Sequence, residues 1–138
     1  MNNGSEEAQK SPGADLMSSI ALAQAVLYVG TGIWPLLSMR TFEAVTGPKR
    51  DHWLVKTVGV LVAVIGGVLA VSASRRKMPD EIPMLAVGSA LGLTAIDCVY
   101  VSEKQISRIY LLDVVAELIL VAMWIYAWLQ ARQEHKAQ

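Results

Sequence analysis

Four long apolar runs constrain this chain more than any other feature of its sequence. A helix needs about 20 apolar residues to cross the hydrocarbon layer of a bilayer, which is about 30 Å thick. The runs cover residues 16–37, 53–73, 82–101 and 109–129. A soluble four-helix bundle would carry a polar face on each helix, whereas residues 58–71 contain no polar side chain. The sequence therefore predicts an all-α protein built as a bundle of four transmembrane helices.

Short polar segments join and flank the predicted spans. Residues 1–15 are predicted to be a flexible polar tail, because their composition cannot bury a core, and residues 131–138 are predicted to be a polar C-terminal tail. The third connection, residues 102–107, is tight, so the last two spans form an antiparallel hairpin, and we expect an antiparallel, up-down bundle. In the first connection, residues 41–45 can form a short helix at the membrane interface, which Gly47-Pro48 would end.

Composition excludes several classes of function. The 138 residues carry 12 basic and 12 acidic side chains, a net charge of zero that does not favour nucleic acid as a partner. Cys98 is the only cysteine, which leaves no intrachain disulfide and no cysteine-based metal site. His52 and His135 lie outside the spans and belong to no metal-binding or catalytic motif. We expect no metal and no cofactor, and we lean against an enzyme.

Three carboxylates, Asp97, Asp113 and Glu117, interrupt the third and fourth spans. Charge is costly inside a bilayer, so acids at this depth indicate a functional site. From the helical rise, the two aspartates lie about 7 Å into the layer and Glu117 about 13 Å. Tyr110, Asp113 and Glu117 share one stripe of the fourth helix, because residues three and four apart are neighbours. We expect the hairpin of the last two spans to bring the three acids into one pocket.

The first span carries a polar stripe of its own. Gln24, Tyr28 and Thr31 recur at helical spacing in an otherwise apolar segment. We expect these side chains to line the opposite wall of the acidic pocket. Gln24 lies deep in its helix and needs a bonding partner, because an unsatisfied polar group in hydrocarbon costs several kcal/mol.

Three interpretations of the acids stay open. In the first, the pocket binds a proton, a cation or a small polar or amine-bearing ligand, as in transport, with Glu117 as the core acid. In the second, the protein is structural or accessory, and Lys56, Arg108 or Arg40 forms internal ion pairs with the two aspartates. An intramembrane enzyme that acts on lipid is the third. Whether the acids converge on a water-accessible cavity or are capped by cations separates the first two.

Small residues on the second and third spans predict close helix contacts. Gly59, Ala63 and Gly67 recur at spacings of four, and Gly88 and Gly92 form a second such pair. Small residues let transmembrane helices approach closely. We expect the two faces to meet within one chain, or else to contact a second copy or another membrane partner.

Charge bias does not fix the orientation of the predicted bundle. Both termini fall on the same side of four spans, and each side carries six basic residues. The positive-inside rule therefore gives a tie, and cytoplasmic termini are the default. Five aromatic residues lie towards helix ends, where we expect a role in an interfacial belt or in packing: Trp34, Trp53, Trp124, Tyr126 and Trp128.

The chain resembles small four-helix bacterial membrane proteins of uncharacterised function. The likeness is carried by the first connection and its flanks and by the acidic residues of the last two spans: residues 32–37, 41–49, 53–56, Asp97, 110–113 and Glu117. It implies an integral protein of the bacterial inner membrane and no particular activity. In size and helix count the chain is also similar to small multidrug-resistance transporters. Those place an essential glutamate in the first helix, where this chain has Gln24.

Overall fold

The computed structural model describes residues 11–75 and 77–137, which form five helices. In chain order these are α1 (Pro12–Leu37), α2 (Met39–Thr46), α3 (His52–Ala73), α4 (Glu81–Ser102) and α5 (Tyr110–Lys136). All except α2 are long and apolar enough to cross a membrane, with a mean hydropathy between 1.6 and 2.4. The prediction of an all-helical chain with four spans of membrane-crossing length is confirmed.

α1 begins at Pro12, before the predicted start of the span at residue 16. The Ser11 hydroxyl accepts a hydrogen bond from the Ala14 amide at 3.3 Å and so caps the first turn. Proline at the first helical position already has a helical φ, and Asp15 complements the positive end of the helix dipole. This capping chemistry extends the helix into the predicted tail, whose residues 1–10 lie outside the described residues.

α5 continues through Lys136, well beyond the predicted end of the fourth span at residue 129. Its last turn carries His135 and Lys136, which face the negative end of the helix dipole. The Glu134 carboxylate accepts a hydrogen bond from the Gly13 amide at 3.2 Å, so the end of α5 contacts the start of α1. The predicted C-terminal tail is therefore helical up to Lys136.

Ser38 separates α1 from α2 and caps both helices. Its backbone is extended, its amide donates to the Trp34 carbonyl at 3.0 Å, and its hydroxyl accepts from the Thr41 amide at 3.3 Å. The Trp34 indole N–H donates to the Thr41 hydroxyl at 2.9 Å, and its ring packs edge-on against Phe42. α2 ends at Gly47, whose φ of +88° favours glycine. These contacts hold α2 against the end of α1.

α1 and α3 approach each other closely at a pair of glycines, Gly32 and Gly59. A Cβ atom on Gly32 would lie 2.5 Å from the Gly59 carbonyl oxygen, and the reverse distance is also 2.5 Å. Gly66 lies against Tyr28 and Val29, where a Cβ would come within 2.9 Å of either side chain. The two backbones meet because neither glycine brings a side chain into the contact.

The glycine faces of the second and third spans do not meet as expected. Gly59 contacts α1 instead, and a Cβ on Gly88, Gly92 or Gly67 would find nothing within 4 Å among the described residues. A contact of these residues with another chain stays a prediction.

The helices form two pairs, α1 with α3 and α4 with α5, which meet mainly where α1 packs on α5. The buried core lies at one end of this junction and consists of nine residues: Ile20, Ala21, Ala25, Leu69, Ile82, Ala86, Leu120, Trp124 and Ala127. α3 and α4 make little contact. The outer surface of α3 is apolar and exposed, as at Leu61 and Val64, which suits a helix that faces lipid.

Candidate acidic cleft

A cleft of about 620 Å³ lies between the two helix pairs, at the end where the first and third connections meet. All five helices contribute to its walls. Its volume falls within the usual range for small-molecule sites, about 300–1,000 Å³. The side chains of Asp97, Asp113 and Glu117 all line it. The structure therefore places the three predicted acids along one cleft.

Glu117 lies at the inner end of the cleft and is only 1% exposed. Val114 and Val121, three residues before it and four after it, are buried on the same face of α5. The Tyr28 hydroxyl donates a hydrogen bond to Glu117 Oε2 at 3.0 Å. The same hydroxyl lies 3.3 Å from the Ser89 hydroxyl. The predicted proximity of Tyr28 and Glu117 is thus a direct bond between α1 and α5.

Asp97 and Asp113 lie one turn nearer the mouth of the cleft than Glu117. Asp97 is 8% exposed and Asp113 is partly buried. Their carboxyl groups lie within hydrogen-bonding reach of each other. Two bare negative charges at this distance repel. Two carboxyl groups in contact are compatible when they share a proton or hold a cation between them.

The predicted cationic partners do not contact these acids. Lys56, Arg40 and Arg108 are all exposed. Among residues 11–75 and 77–137, the only salt bridge is the one between His52 and Glu43. The ion pairs of the accessory-protein interpretation are therefore not formed in this structure. In the same part of the chain, no group of three or more His, Cys, Asp or Glu residues is arranged to hold a metal.

Gln24 does not line the cleft but lies beyond its inner end. It is fully buried, its Nε2 donates to the Ala86 carbonyl at 3.0 Å, and its Oε1 accepts from the Trp124 indole N–H at 2.7 Å. The predicted need for a bonding partner is met by α4 and α5 together. Trp124, for which the sequence predicts either an interfacial or a packing role, is a 1% exposed member of the core.

A cluster of hydrogen bonds and polar contacts, the polar junction, connects α1, α4 and α5 at the inner end of the cleft. It runs from Trp124 through Gln24 to the Ala86 carbonyl, which also accepts from the Ser89 hydroxyl at 3.0 Å. The Tyr28 hydroxyl donates to Glu117 and lies 3.3 Å from the Ser89 hydroxyl, a close polar contact. The buried acid is thereby held by the same contacts that fasten the two helix pairs together.

Thr31 and Tyr110 line the cleft as predicted neighbours of the acids. The Thr31 hydroxyl donates to the Leu27 carbonyl of its own helix at 2.7 Å. The Tyr110 ring lies 4.8 Å from Lys49 Nζ, a cation–π contact between α5 and the first connection. Lys49 Nζ also donates to the Thr46 carbonyl at 3.1 Å. The sequence did not predict a role for Lys49 at this site.

Glu43, Lys49 and His52 form a mouth clasp at the end of the first connection. Glu43 Oε1 accepts from the Lys49 amide at 2.8 Å and lies 2.7 Å from His52 Nε2. These two hydrogen bonds, the Lys49 amide foremost, lower the pKa of the Glu43 carboxyl below its usual value. The sequence did not predict this cluster, because the only signal is three polar residues within ten positions around the end of α2 and the start of α3.

Thr94 on α4 carries a buried hydroxyl without a hydrogen-bond partner in the described part of the chain. A buried polar group without a partner is destabilising. This hydroxyl is therefore a local weakness in α4, one turn before Asp97.

No protein-family model, curated protein or solved structure matches this chain. The function of the cleft has to be argued from its geometry and chemistry.

Proposed function

We propose that this chain is a membrane protein whose acidic cleft binds protons and cations in exchange, with a small amine as its organic ligand, as in a transport cycle. One observation carries the proposal. Three carboxylates line a single cleft, and none of them pairs with a cation among residues 11–75 and 77–137. Intramembrane acids that lack an internal counter-charge are expected on proton and ion pathways.

Glu117 is the core acid of this proposal. Its Oε2 is held by the Tyr28 hydroxyl, which leaves Oε1 to accept a proton or the N–H of an amine. A carboxyl group in a low-dielectric site carries either a proton or a cation, because an isolated negative charge there is costly. The arrival of a cation therefore releases the proton, and the loss of the cation restores it.

Asp97 and Asp113 provide a second position nearer the mouth. Their paired carboxyl groups offer several oxygen acceptors, which suit an ammonium group with its three donors. A cation moving from this pair to Glu117 would travel along one face of α5, over about 6 Å of helix rise. The two positions thus form a short path rather than a single site.

The decisive test is proton release on amine binding, measured with a pH indicator in weakly buffered nanodiscs. The wild-type protein is expected to release protons when methylammonium is added, and Glu117→Gln is expected to release clearly fewer while its circular dichroism stays unchanged. Glu81→Gln, which alters an exposed acid outside the cleft, is the matched control. Undiminished release from Glu117→Gln would contradict the proposal.

The accessory-protein alternative makes a different prediction for Lys56 and Asp113. If they paired, Lys56→Met and Asp113→Asn would each destabilise the protein, and the double variant would be partly compensated. With no such contact in the structure, we expect the two effects on the free energy of unfolding to add within about 0.5 kcal/mol. Clear compensation in the double-mutant cycle would favour the ion-pair role.

We further propose that the four long helices cross the membrane in alternating directions, with both termini in the cytoplasm and α2 at the opposite interface. Single cysteines at Ser107 and Asp51, in a Cys98→Ser background, should react with an impermeant thiol reagent added to intact cells. A cysteine at Ser74 should react only after the cells are opened. The reverse labelling pattern would indicate the opposite orientation, with both termini outside the cytoplasm. Labelling of all three cysteines in intact cells would exclude the proposed arrangement of four crossing helices.

A further inference from the structure

One wall of the cleft is apolar, whereas its inner end carries the carboxylate of Glu117. On the side where α3 faces α4, the wall consists of apolar and aromatic residues: Leu54, Val58, Val62, Leu93, Ile96 and Tyr100. Several of these remain open to the surroundings, with Val58 43% and Ile96 56% exposed. Because α3 and α4 make little contact, the cleft has a lateral opening between them. In a bilayer this opening faces hydrocarbon.

The end of the cleft at the two connections carries charged side chains. Lys49 and Arg50 lie there together with Asp51, and Lys49 Nζ is held over the Tyr110 ring. Asp51 and the Glu43 of the mouth clasp offset these two positive charges, so this end is polar, in contrast to the apolar wall between α3 and α4. The lateral opening presents no charged side chain among its lining residues above.

These two features select one class of ligand. The carboxylates demand a cation at the inner end, and the apolar lateral walls favour a hydrocarbon tail that remains in the membrane. We propose that the cleft takes a membrane-dissolved amphiphilic amine, whose ammonium group reaches Glu117 through the lateral opening between α3 and α4. This inference rests on the proposed cation exchange and adds the substrate class and its route.

Dependence on the tail is the first test, with decylamine, methylammonium and decanol as probes. Decylamine is expected to bind wild-type protein in nanodiscs with Glu117-dependent proton release, at aqueous concentrations where methylammonium gives none. For shorter alkylamines, the apparent affinity in terms of aqueous concentration should fall about fourfold per methylene removed. Decanol lacks the charge and should not compete.

Obstruction of the lateral opening is the second test. Val58→Trp should weaken decylamine binding by about tenfold, the effect expected from one bulky side chain forced into a filled site. Val64→Trp lies on the same helix, is 59% exposed and does not line the cleft, so it should bind decylamine normally. Ile96→Trp narrows the opening from the α4 side. It serves as the test variant if Val58→Trp does not fold.

The outcomes separate this inference from the proposed function. If methylammonium and decylamine act equally well and both depend on Glu117, the cation site stands and the amphiphile is excluded. If decanol competes as well as decylamine, the cleft is a lipid groove and the amine is excluded. Normal decylamine binding by both Val58→Trp and Ile96→Trp would exclude the lateral route. If Glu117→Gln changes nothing for any probe, the proposed function itself fails.

Discussion

Replacing Gln24 with methionine tests whether the polar junction holds the two helix pairs together. Methionine has nearly the same length and volume, so the change removes both hydrogen bonds without opening a large cavity. Gln24 is 0% exposed, which excludes water from taking over the bonds. The stability cost should then come from hydrogen bonding alone.

The magnitude follows from the three groups involved. Hydrogen bonds between transmembrane helices contribute about 0.6 kcal/mol each on average, or about 1.2 kcal/mol for two. The Ala86 carbonyl keeps its bond from Ser89, but the Trp124 indole N–H is left buried without an acceptor. A stranded donor costs about 1–3 kcal/mol. Gln24→Met should therefore destabilise the protein by about 2–4 kcal/mol.

Reversible unfolding in mixed micelles with increasing dodecyl sulfate, followed by far-ultraviolet circular dichroism, gives the free energy of unfolding. Trp124→Phe removes the donor that Gln24→Met strands. The double variant should therefore be less destabilised than the sum of the single changes, by about 1–3 kcal/mol. If Gln24→Met lies within about 0.5 kcal/mol of wild type, or the double variant is simply additive, the junction does not stabilise the bundle as argued.

Three further predictions follow from the packing and from the mouth clasp. Gly32→Ala should destabilise the protein by about 1–3 kcal/mol, because the added Cβ would lie 2.5 Å from the Gly59 carbonyl oxygen. Gly67→Ala is the control: its Cβ has open space, so the change should be neutral or stabilising. The free energy of unfolding in the same mixed micelles tests both predictions. Thr94→Val should stabilise by about 1 kcal/mol, because it removes a buried hydroxyl without a described partner. The lowered pKa of Glu43 means that the clasp stabilises α2 above the usual carboxyl value of 4.5 and loses this contribution as the pH falls through the lower folded value. The protection factors of the α2 amides, which correct for the intrinsic slowing of exchange in acid, should therefore fall as the pH drops, and Glu43→Gln should abolish that acid-dependent change.

The sequence predicts the helices well because hydropathy is a local property. Four apolar runs are visible without any tertiary information, and the i, i+4 spacing of Asp113 and Glu117 places both on one face of α5. The ends of helices were harder to predict, since Ser11 and Pro12 begin α1 inside a segment whose composition indicated a tail. Cap chemistry, not average polarity, decides such boundaries.

Contacts between distant segments could not be read from the sequence. Trp124 bonds a residue 100 positions earlier, and nothing in its local pattern separates a core tryptophan from one at a membrane interface. A stripe of small residues likewise shows that a helix can be approached closely, without showing by which partner. Gly59 contacts α1, although the small residues Gly88 and Gly92 of α4 would have allowed an equally close approach.

The position of the polar junction also gives the molecule a mechanical property. The two helix pairs make little contact where α3 faces α4, and the Lys49–Tyr110 contact links them at the mouth. The polar junction fastens them at the inner end of the cleft. They can therefore act as two arms of a lever about that point, with the mouth about 10 Å away along α5. A relative rotation of about 10° would change the width there by about 2 Å, roughly the scale of known hinge and shear shifts. Glu117 lies close to the fulcrum, so its surroundings would change far less than the mouth during such a motion.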